Sequence, residues 1–440
     1  MIGHRCSVFL GVFCLLCLIV PGGPAALAEE GAEAVLLHEV DVQALGTCQD
    51  LRMGDLNGDG RLDLLVVQVD RQDVRRLIAV DITGKELWRV EHGAVGRSPH
   101  SDVPVQIHDL DNNGRFEVIY AVGGKLRVLE GTTGRLQREA PLPGPQANDC
   151  IAFADFAGQG HAGQVVVKDR YRQVWALDRD FSVLWTHEGN PGHYCWPHDF
   201  NGDGRDALVA GFTLLEPDGT PQWKADVPRH ADAVAVGDVT GDGRDDIAVA
   251  NCGDRVLLLD AEGNELWRHP IDHAQHAVVG NFRPDLPGLQ VAAVDRGTDR
   301  SAAGTDAILL LASDGELLWR ETRTDPGTRR WATIISTVSG WDDRPEDLIF
   351  GFRRGGSTPP TLYDGHGRAV ASFPVPDSEA FNFAQHADIT GDGWEEVVVW
   401  NTDWLGVYAN AEKPAPTATP GRPRRPDKRL YNYTYYIGMP

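Results

Sequence analysis

The sequence predicts an all-β protein: a single closed β-propeller of eight four-stranded blades, with seven as the alternative count. Three observations carry this. A short acidic loop recurs along the chain, an apolar hairpin recurs beside it, and the pair repeats about every 45 residues, the range of propeller blades.

The acidic loop comes first. Asp55-Leu-Asn57-Gly-Asp59-Gly-Arg-Leu-Asp63 places oxygen-bearing side chains at loop positions 1, 3, 5 and 9. It recurs as Asp109, Asp111, Asn113, Glu117, as Asp238, Thr240, Asp242, Asp246, and as Asp388, Thr390, Asp392, Glu396. A fifth copy, Asp199, Asn201, Asp203, has Ala207 at position 9. Clustered oxygen donors around glycines suit a hard cation, and Ca2+ is the expected occupant of all five. The equivalent loops at Asp155 and Phe282 lack the acids and are expected to hold no metal. An EF-hand is excluded, because each loop runs into a short β-branched run such as Leu64-Leu-Val-Val or Ile247-Ala-Val-Ala rather than a helix.

The hairpin comes next. Leu77 to Trp88 reads as apolar run, turn, apolar run. The pattern returns at 126–136, 174–185, 214–223, 256–267, 308–319 and 362–373. Gly in these turns supplies the positive φ that tight hairpins need. A Trp near the end of many units suits a strand packed between neighbouring sheets. One unit is therefore strand A, acidic loop, strand B, loop, strand C, turn, strand D. The B strands are expected to start near Asp63, Glu117, Gly163, Ala207, Asp246, Gln290, Asp347 and Glu396. The last unit shows no strand D, whereas Ala34 to Val42 reads as an orphan strand. That strand is expected to complete the eighth blade and fasten the ring. The degenerate units near Gln290 and Asp347 leave seven blades as the alternative.

Residues 1–28 read as a cleavable signal peptide: Arg5, an apolar core from Ser7 to Val20, and Ala26-Leu27-Ala28 before the cut. The mature protein is thus expected to be secreted or periplasmic, without membrane insertion. The propeller is expected over 29–410, a Pro-rich basic linker over 411–429, and an aromatic segment, 430–440, docking on the propeller. The formal net charge of −23 disfavours nucleic acid and anionic membranes. Outside the signal peptide the cysteines are Cys48, Cys150, Cys195 and Cys252, which permits disulfides, with Cys150 and Cys195 on neighbouring strands, or four buried thiols.

The Asp-x-Asn-Gly-Asp-Gly-x-x-Asp loop between strands resembles the FG-GAP/VCBS repeat of integrin α-type propellers. A narrower resemblance, to secreted family 11 rhamnogalacturonan lyases, rests on Lys168-Asp-Arg-Tyr171, on Gly192-His-Tyr-Cys-Trp-Pro-His-Asp199 and on Val278 to Gly288. It implies a Ca2+-dependent eight-bladed propeller that cleaves uronate chains by β-elimination. The first reading of function is a secreted Ca2+-binding propeller holding a glycan or an extracellular protein, as a monomer. The alternative is a polysaccharide lyase.

Topology places the acidic loops on one face. The B–C loops and the starts of strands A fall on the other, around the channel. His100, His193, His230 and His273 collect there, with Lys168, Arg170, Tyr171, Arg353, Arg354, Asp403 and Trp404. β-Elimination needs a cation to neutralise the uronate carboxylate, a base for the ring proton and an acid for the leaving oxygen. His193 with Arg170 and Tyr171 would supply the set, and Lys168 is a further candidate beside them.

Overall fold

A computed structural model of the chain describes residues 34–70, 73–93, 102–297, 305–324, 333–353, 358–376 and 382–412. The segments expected as signal peptide and aromatic tail, all but the first two residues of the expected linker, His100 and Arg354 lie outside the described residues.

The described chain forms eight antiparallel four-stranded sheets. The B strands start at Asp63, Glu117, Gln164, Ala207, Asp246, Gln290, Leu348 and Glu396, within one residue of every expected position. Their apolar runs show no alternation because both sides are covered: every residue of Glu117–Val122 and of Asp246–Asn251 is buried. The D strands form the rim and alternate between exposed and half-buried, as in Val183–Glu188 and Glu265–Pro270. Neighbouring A strands lie against one another and line the axis. Among the described residues the one helix is Val42–Leu45, capped by Asp41, whose Oδ1 accepts from the Ala44 N–H at 3.2 Å.

The ring closes as expected. Ala34–Val40 pairs antiparallel with Leu405–Asn410, so one sheet takes its outer strand from the start of the chain and its inner three from the end. A single apolar cluster then runs across the seam, joining Val40, Leu51, Leu64 and Val66 to Ile389, Val398 and Val407.

A repeated clasp fixes each blade to the next. The Trp four residues after the hairpin's left-handed residue, Phe181 in the third blade and glycine in the others, donates its indole N–H to a carbonyl in the following blade's turn. Trp88 reaches Gly131, Trp185 Pro217, Trp223 Ala261, Trp267 Ser313 and Trp319 Gly365, at 2.5–3.0 Å. Its ring lies on that turn's glycine, where a Cβ would come within 2.5–3.2 Å of the indole at Gly134, Gly219, Gly263, Gly315 and Gly367. The exceptions match each other. Arg138 stands where the second blade would carry Trp, and the turn it faces has Phe181 at φ 68° in place of glycine, with the guanidinium 5.4 Å from the ring centroid. Ala371 stands in the seventh blade, which faces the one blade whose outer strand arrives without a hairpin turn.

This clasp gives a clean comparison. Gly263→Ala should destabilise by about 2–3 kcal/mol, since it combines a left-handed φ of 82° with a Cβ 2.5 Å from Trp223. Gly160→Ala shares the left-handed backbone, at φ 71°, but meets nothing within 4 Å, and should lose only about 1 kcal/mol. Urea unfolding of the two variants checks it; equal losses would remove the role given to the indole.

Candidate functional site

The acidic loops sit where the repeat put them, between strands A and B. Their first acid binds backbone: Asp55 accepts from the N–H groups of Gly58, Asp59 and Gly60, and Asp199 from those of Gly202, Asp203 and Gly204. Asp238 and Asp388 do the same with Gly243 and Gly393. Position 9 proves to have a structural duty with or without a cation. Asp63, Glu117, Asp246 and Glu396 each accept a loop N–H, and Gln164 and Gln290 do so in the loops that lack acids.

The donor sets still fit Ca2+. Burial first, and the neighbouring Asp55 and Asp59 after it, push the Asp63 carboxyl up to about 6. Glu117 is pushed up to about 7 by burial and by Asp111 and Asp109. Asp246 rises for the same reasons. Carboxylates crowded until they resist ionising are what a bound cation relieves. In the second blade Asp109, Asp111 and Glu117 bring one oxygen each to within 4.8 Å of the others.

The opposite face holds a different chemistry. Lys168, at the end of strand B of the third blade, is 1% exposed. Its Nζ donates to Asp149 Oδ2 at 2.8 Å, and Arg170 Nη1 lies 3.3 Å from the same oxygen. Asp149 Oδ1 accepts the Asp102 N–H at 2.9 Å. Burial would raise the Asp149 carboxyl, but Lys168 and Arg170 together outweigh it and hold it well below the usual range.

Beside this group lies a histidine cluster. The Tyr171 hydroxyl is 3.1 Å from His193 Nε2, and that nitrogen is 3.2 Å from Asp232 Oδ1. His230 Nε2 is 2.9 Å from the same oxygen, and His273 Nε2 is 3.4 Å from Oδ2. Cys252 Sγ lies 4.0 Å from His273 Nε2. Burial drives His193 well below its ordinary value, against the pull of Asp232. His230 and His273 rise to about 9: burial opposes the rise at His230 but Asp232 and Cys252 outweigh it, and their hydrogen bonds dominate at His273. Tyr171 is the exposed member, at 40%.

The backbone explains the convergence. Pairing slips between Ala231 and Ala233 and again between Ala274 and His276. The bulged residues, Asp232 and Gln275, turn toward each other, with Gln275 Nε2 donating to Asp232 Oδ2 at 3.3 Å. Cys150 and Arg229, both at φ 78°, hold a conformation rare outside glycine directly beside Asp149 and His230.

Of the expected set, Tyr171 meets His193, and Arg170 lies beside Tyr171 with its Cζ 5.7 Å from the ring centroid. Lys168 is turned onto Asp149 and away from solvent. Arg353 pairs with Asp306 at 3.1 Å and Trp404 bonds Glu39 at 3.1 Å, so both serve the blades. Asp149, Asp232 and Cys252 were not expected. The His230-Ala-Asp232 spacing was the one available signal; the bulge that makes it productive leaves no mark in the sequence. Cys48, Cys150, Cys195 and Cys252 are all free thiols, so the permitted disulfide does not form.

Fold and site together define an eight-bladed propeller with a titratable cluster at one mouth of its channel. Residues 229–384, less than half of the chain, match the family model for rhamnogalacturonan lyase family 11, C-terminal domain. Rhamnogalacturonan endolyase YesW of Bacillus subtilis (strain 168) is 20% identical over 313 residues, covering 62% of this chain and 47% of that protein. The chain thus spans about half the length of the curated relative it matches. The crystal structure of YesW superposes with a TM-score of 0.58 at 18% identity, covering 84% of this chain and 73% of that one. The Bacillus licheniformis rhamnogalacturonan lyase PL11 gives 0.60 at 17%, covering 83% and 72%. The V. cholerae biofilm matrix protein Bap1 gives 0.65 at 13%, covering 87% and 92%. At these identities the superpositions show the fold. The matched family is the lyase one, and the FG-GAP/VCBS reading rests on the loop sequences alone. Among the described residues no helix is long and apolar enough to cross a membrane.

Proposed function

We propose that the protein is an exported polysaccharide lyase that cleaves a uronate-containing glycan by β-elimination at the channel mouth. The observation that carries this is the exposed Tyr171 hydroxyl on the buried His193 imidazole, beside the Arg170 guanidinium. The family match over 229–384 supports a lyase over a module that only binds.

The chemistry follows from exposure. His193 is 6% exposed and Tyr171 40%, so the phenol and not the imidazole reaches substrate. Arg170 neutralises the uronate carboxylate, which acidifies the ring C5–H. Tyr171 oxygen takes that proton as its own passes to His193 Nε2. The C4–O bond breaks, a C4=C5 double bond forms, and the leaving oxygen takes a proton back from Tyr171, restoring the pair. Lys168 is a positioning residue that holds Asp149, and through it Arg170.

The test is incubation of the full chain with a panel of acidic polysaccharides, including uronate–rhamnose chains, read by ultraviolet absorbance of unsaturated uronate. Absorbance should rise with at least one; a flat trace with every substrate overturns the reading.

Ca2+ fits as a structural ion at Asp55, Asp109, Asp199, Asp238, Asp388 and their loop partners, where it would neutralise crowded carboxylates. Chelation should lower the melting temperature and Ca2+ restore it, each site contributing about 2.7 kcal/mol at 100 times its Kd. Asp55→Ala should shrink that Ca2+-dependent increment. Asp155→Ala removes acceptors for the Gln159 and His161 N–H groups and should lower stability while leaving the increment intact. A melting curve indifferent to chelator at low salt would refute the assignment.

A further inference from the structure

We infer that the channel mouth holds a second kind of metal site, a tetrahedral centre of two imidazoles, one thiolate and one carboxylate for a late first-row divalent ion such as Zn2+. Its ligands are His230, His273, Cys252 and Asp232. The inference goes beyond the glycan reading, because it concerns ion binding in the absence of any glycan.

The donors come from three separate segments and gather around Asp232, which His230 and the Cys252–His273 pair share. His230 precedes strand A of the fifth blade and Asp232 lies in its bulge. Cys252 sits in the same blade's B–C turn, held by its N–H to the His230 carbonyl at 2.9 Å, and His273 precedes strand A of the sixth blade. A tetrahedral ion with bonds of about 2.0–2.3 Å needs donor atoms about 3.3–3.8 Å apart. The measured edges are 2.9 Å from His230 Nε2 to Asp232 Oδ1, 3.4 Å from His273 Nε2 to Asp232 Oδ2, so that the carboxylate spans the two imidazoles, and 4.0 Å from His273 Nε2 to Cys252 Sγ. The atoms of Asp232, Cys252 and His273 all lie within 4.8 Å of one another.

A separate observation points to a missing ligand. Asp232 is 2% exposed, yet its Oδ1 receives no aligned hydrogen bond. His230 and His193 nitrogens stand at 2.9 and 3.2 Å from it. A buried carboxylate oxygen crowded by two imidazole nitrogens, with a thiol within 4.8 Å of the same carboxylate, is arranged as co-ligands are. The donor set also selects the ion. Two imidazoles and a thiolate favour Zn2+ and its neighbours over Ca2+, which prefers the all-oxygen loops on the opposite face. The side chains of His230 and His273 are 22% and 14% exposed, leaving an entry path from the channel. On this arrangement His193 is an outer partner, joining the metal-bound Asp232 to Tyr171.

The experiment uses the full chain, reduced, stripped with chelator and returned to excess Ca2+ so that the acidic loops are filled. Titration with Co2+ should saturate at one equivalent, with the intense visible bands of tetrahedral Co2+ and a thiolate-to-cobalt charge-transfer band, both erased by Zn2+. Cys252→Ser should lose the charge-transfer band. His273→Ala should weaken Zn2+ binding by more than the roughly 100-fold that losing an outer partner can produce. His187→Ala, away from the cluster, should bind as the unaltered protein does. Should the cluster variants fail to fold, the unaltered protein still decides the matter. Among the described residues Cys252 is the one half-buried thiol beside three buried ones, so Zn2+ should protect Cys252, followed by mass spectrometry of its peptide, from alkylation. A spectrum of hexa-aquo Co2+ alone, or an alkylation rate unchanged by Zn2+, overturns the proposal.

Discussion

Asp149→Asn is expected to destabilise the protein by about 3–5 kcal/mol, because it leaves a buried charge without its counter-charge. The Lys168 ammonium is 1% exposed and Asp149 is its ion-pair partner at 2.8 Å. Arg170 loses its carboxylate in the same step. Replacing both members, as Asp149→Leu with Lys168→Met, should recover much of the loss, since two apolar side chains strand no charge. The pH dependence has a definite sign. The folded-state pKa of Asp149 lies below that of an unfolded carboxyl, so its contribution is fully present above about pH 4 and fades as pH falls further. Urea unfolding of the unaltered protein and the Asn variant should therefore differ most near neutrality and converge in acid. A gap that stays constant from pH 7 to 3 would show that the ion pair is not its source.

Tyr171→Phe is expected to lower kcat on a cleaved glycan by about 10²–10⁴, the usual contribution of a positioned acid–base group. Stability should change by no more than about 0.5 kcal/mol, because the ring is 40% exposed and only the hydroxyl is removed. KM should move little, since Arg170 still meets the carboxylate. A variant that keeps its kcat would remove Tyr171 from the chemistry. His193→Ala and Arg170→Ala are poorer probes than the sequence suggests. Both side chains belong to buried charge networks around Asp232 and Asp149, so their loss mixes catalysis with folding.

The ring was legible because its repeats are written in local chemistry. Loop acids, hairpin glycines and the Trp that follows them mark most blades, and all eight B strands begin within one residue of the expected place. Even the orphan strand at Ala34 could be placed, because the last unit lacked one. The channel mouth was less legible. Arg170, Tyr171 and His193 could be nominated from topology, but Asp232 could not, since it acts through a bulge that a strand pattern does not reveal. Asp149 was hidden for another reason: its partners lie 19 and 21 residues away across a blade, and no periodicity connects them. Position 9 of the loops misled in part. It looked like a pure metal ligand, whereas Gln164 and Gln290 do its backbone work without an acid.

The seam between the chain ends also governs how the molecule is made. Ala34–Val40 is the first described strand to be synthesised, and its partner, Leu405–Asn410, is the last. During translation the early strand must wait, with Leu36 and Leu37 unpaired, while seven complete blades form behind it. Every other described strand pairing is between neighbours in sequence and can form quickly; this one closes a loop of almost the whole chain. The rate at which the protein reaches its closed state is therefore set at a single place. A nascent chain stalled before residue 405 would present an open ring whose two end blades are each other's nearest apolar partner, the condition under which neighbouring copies exchange strands.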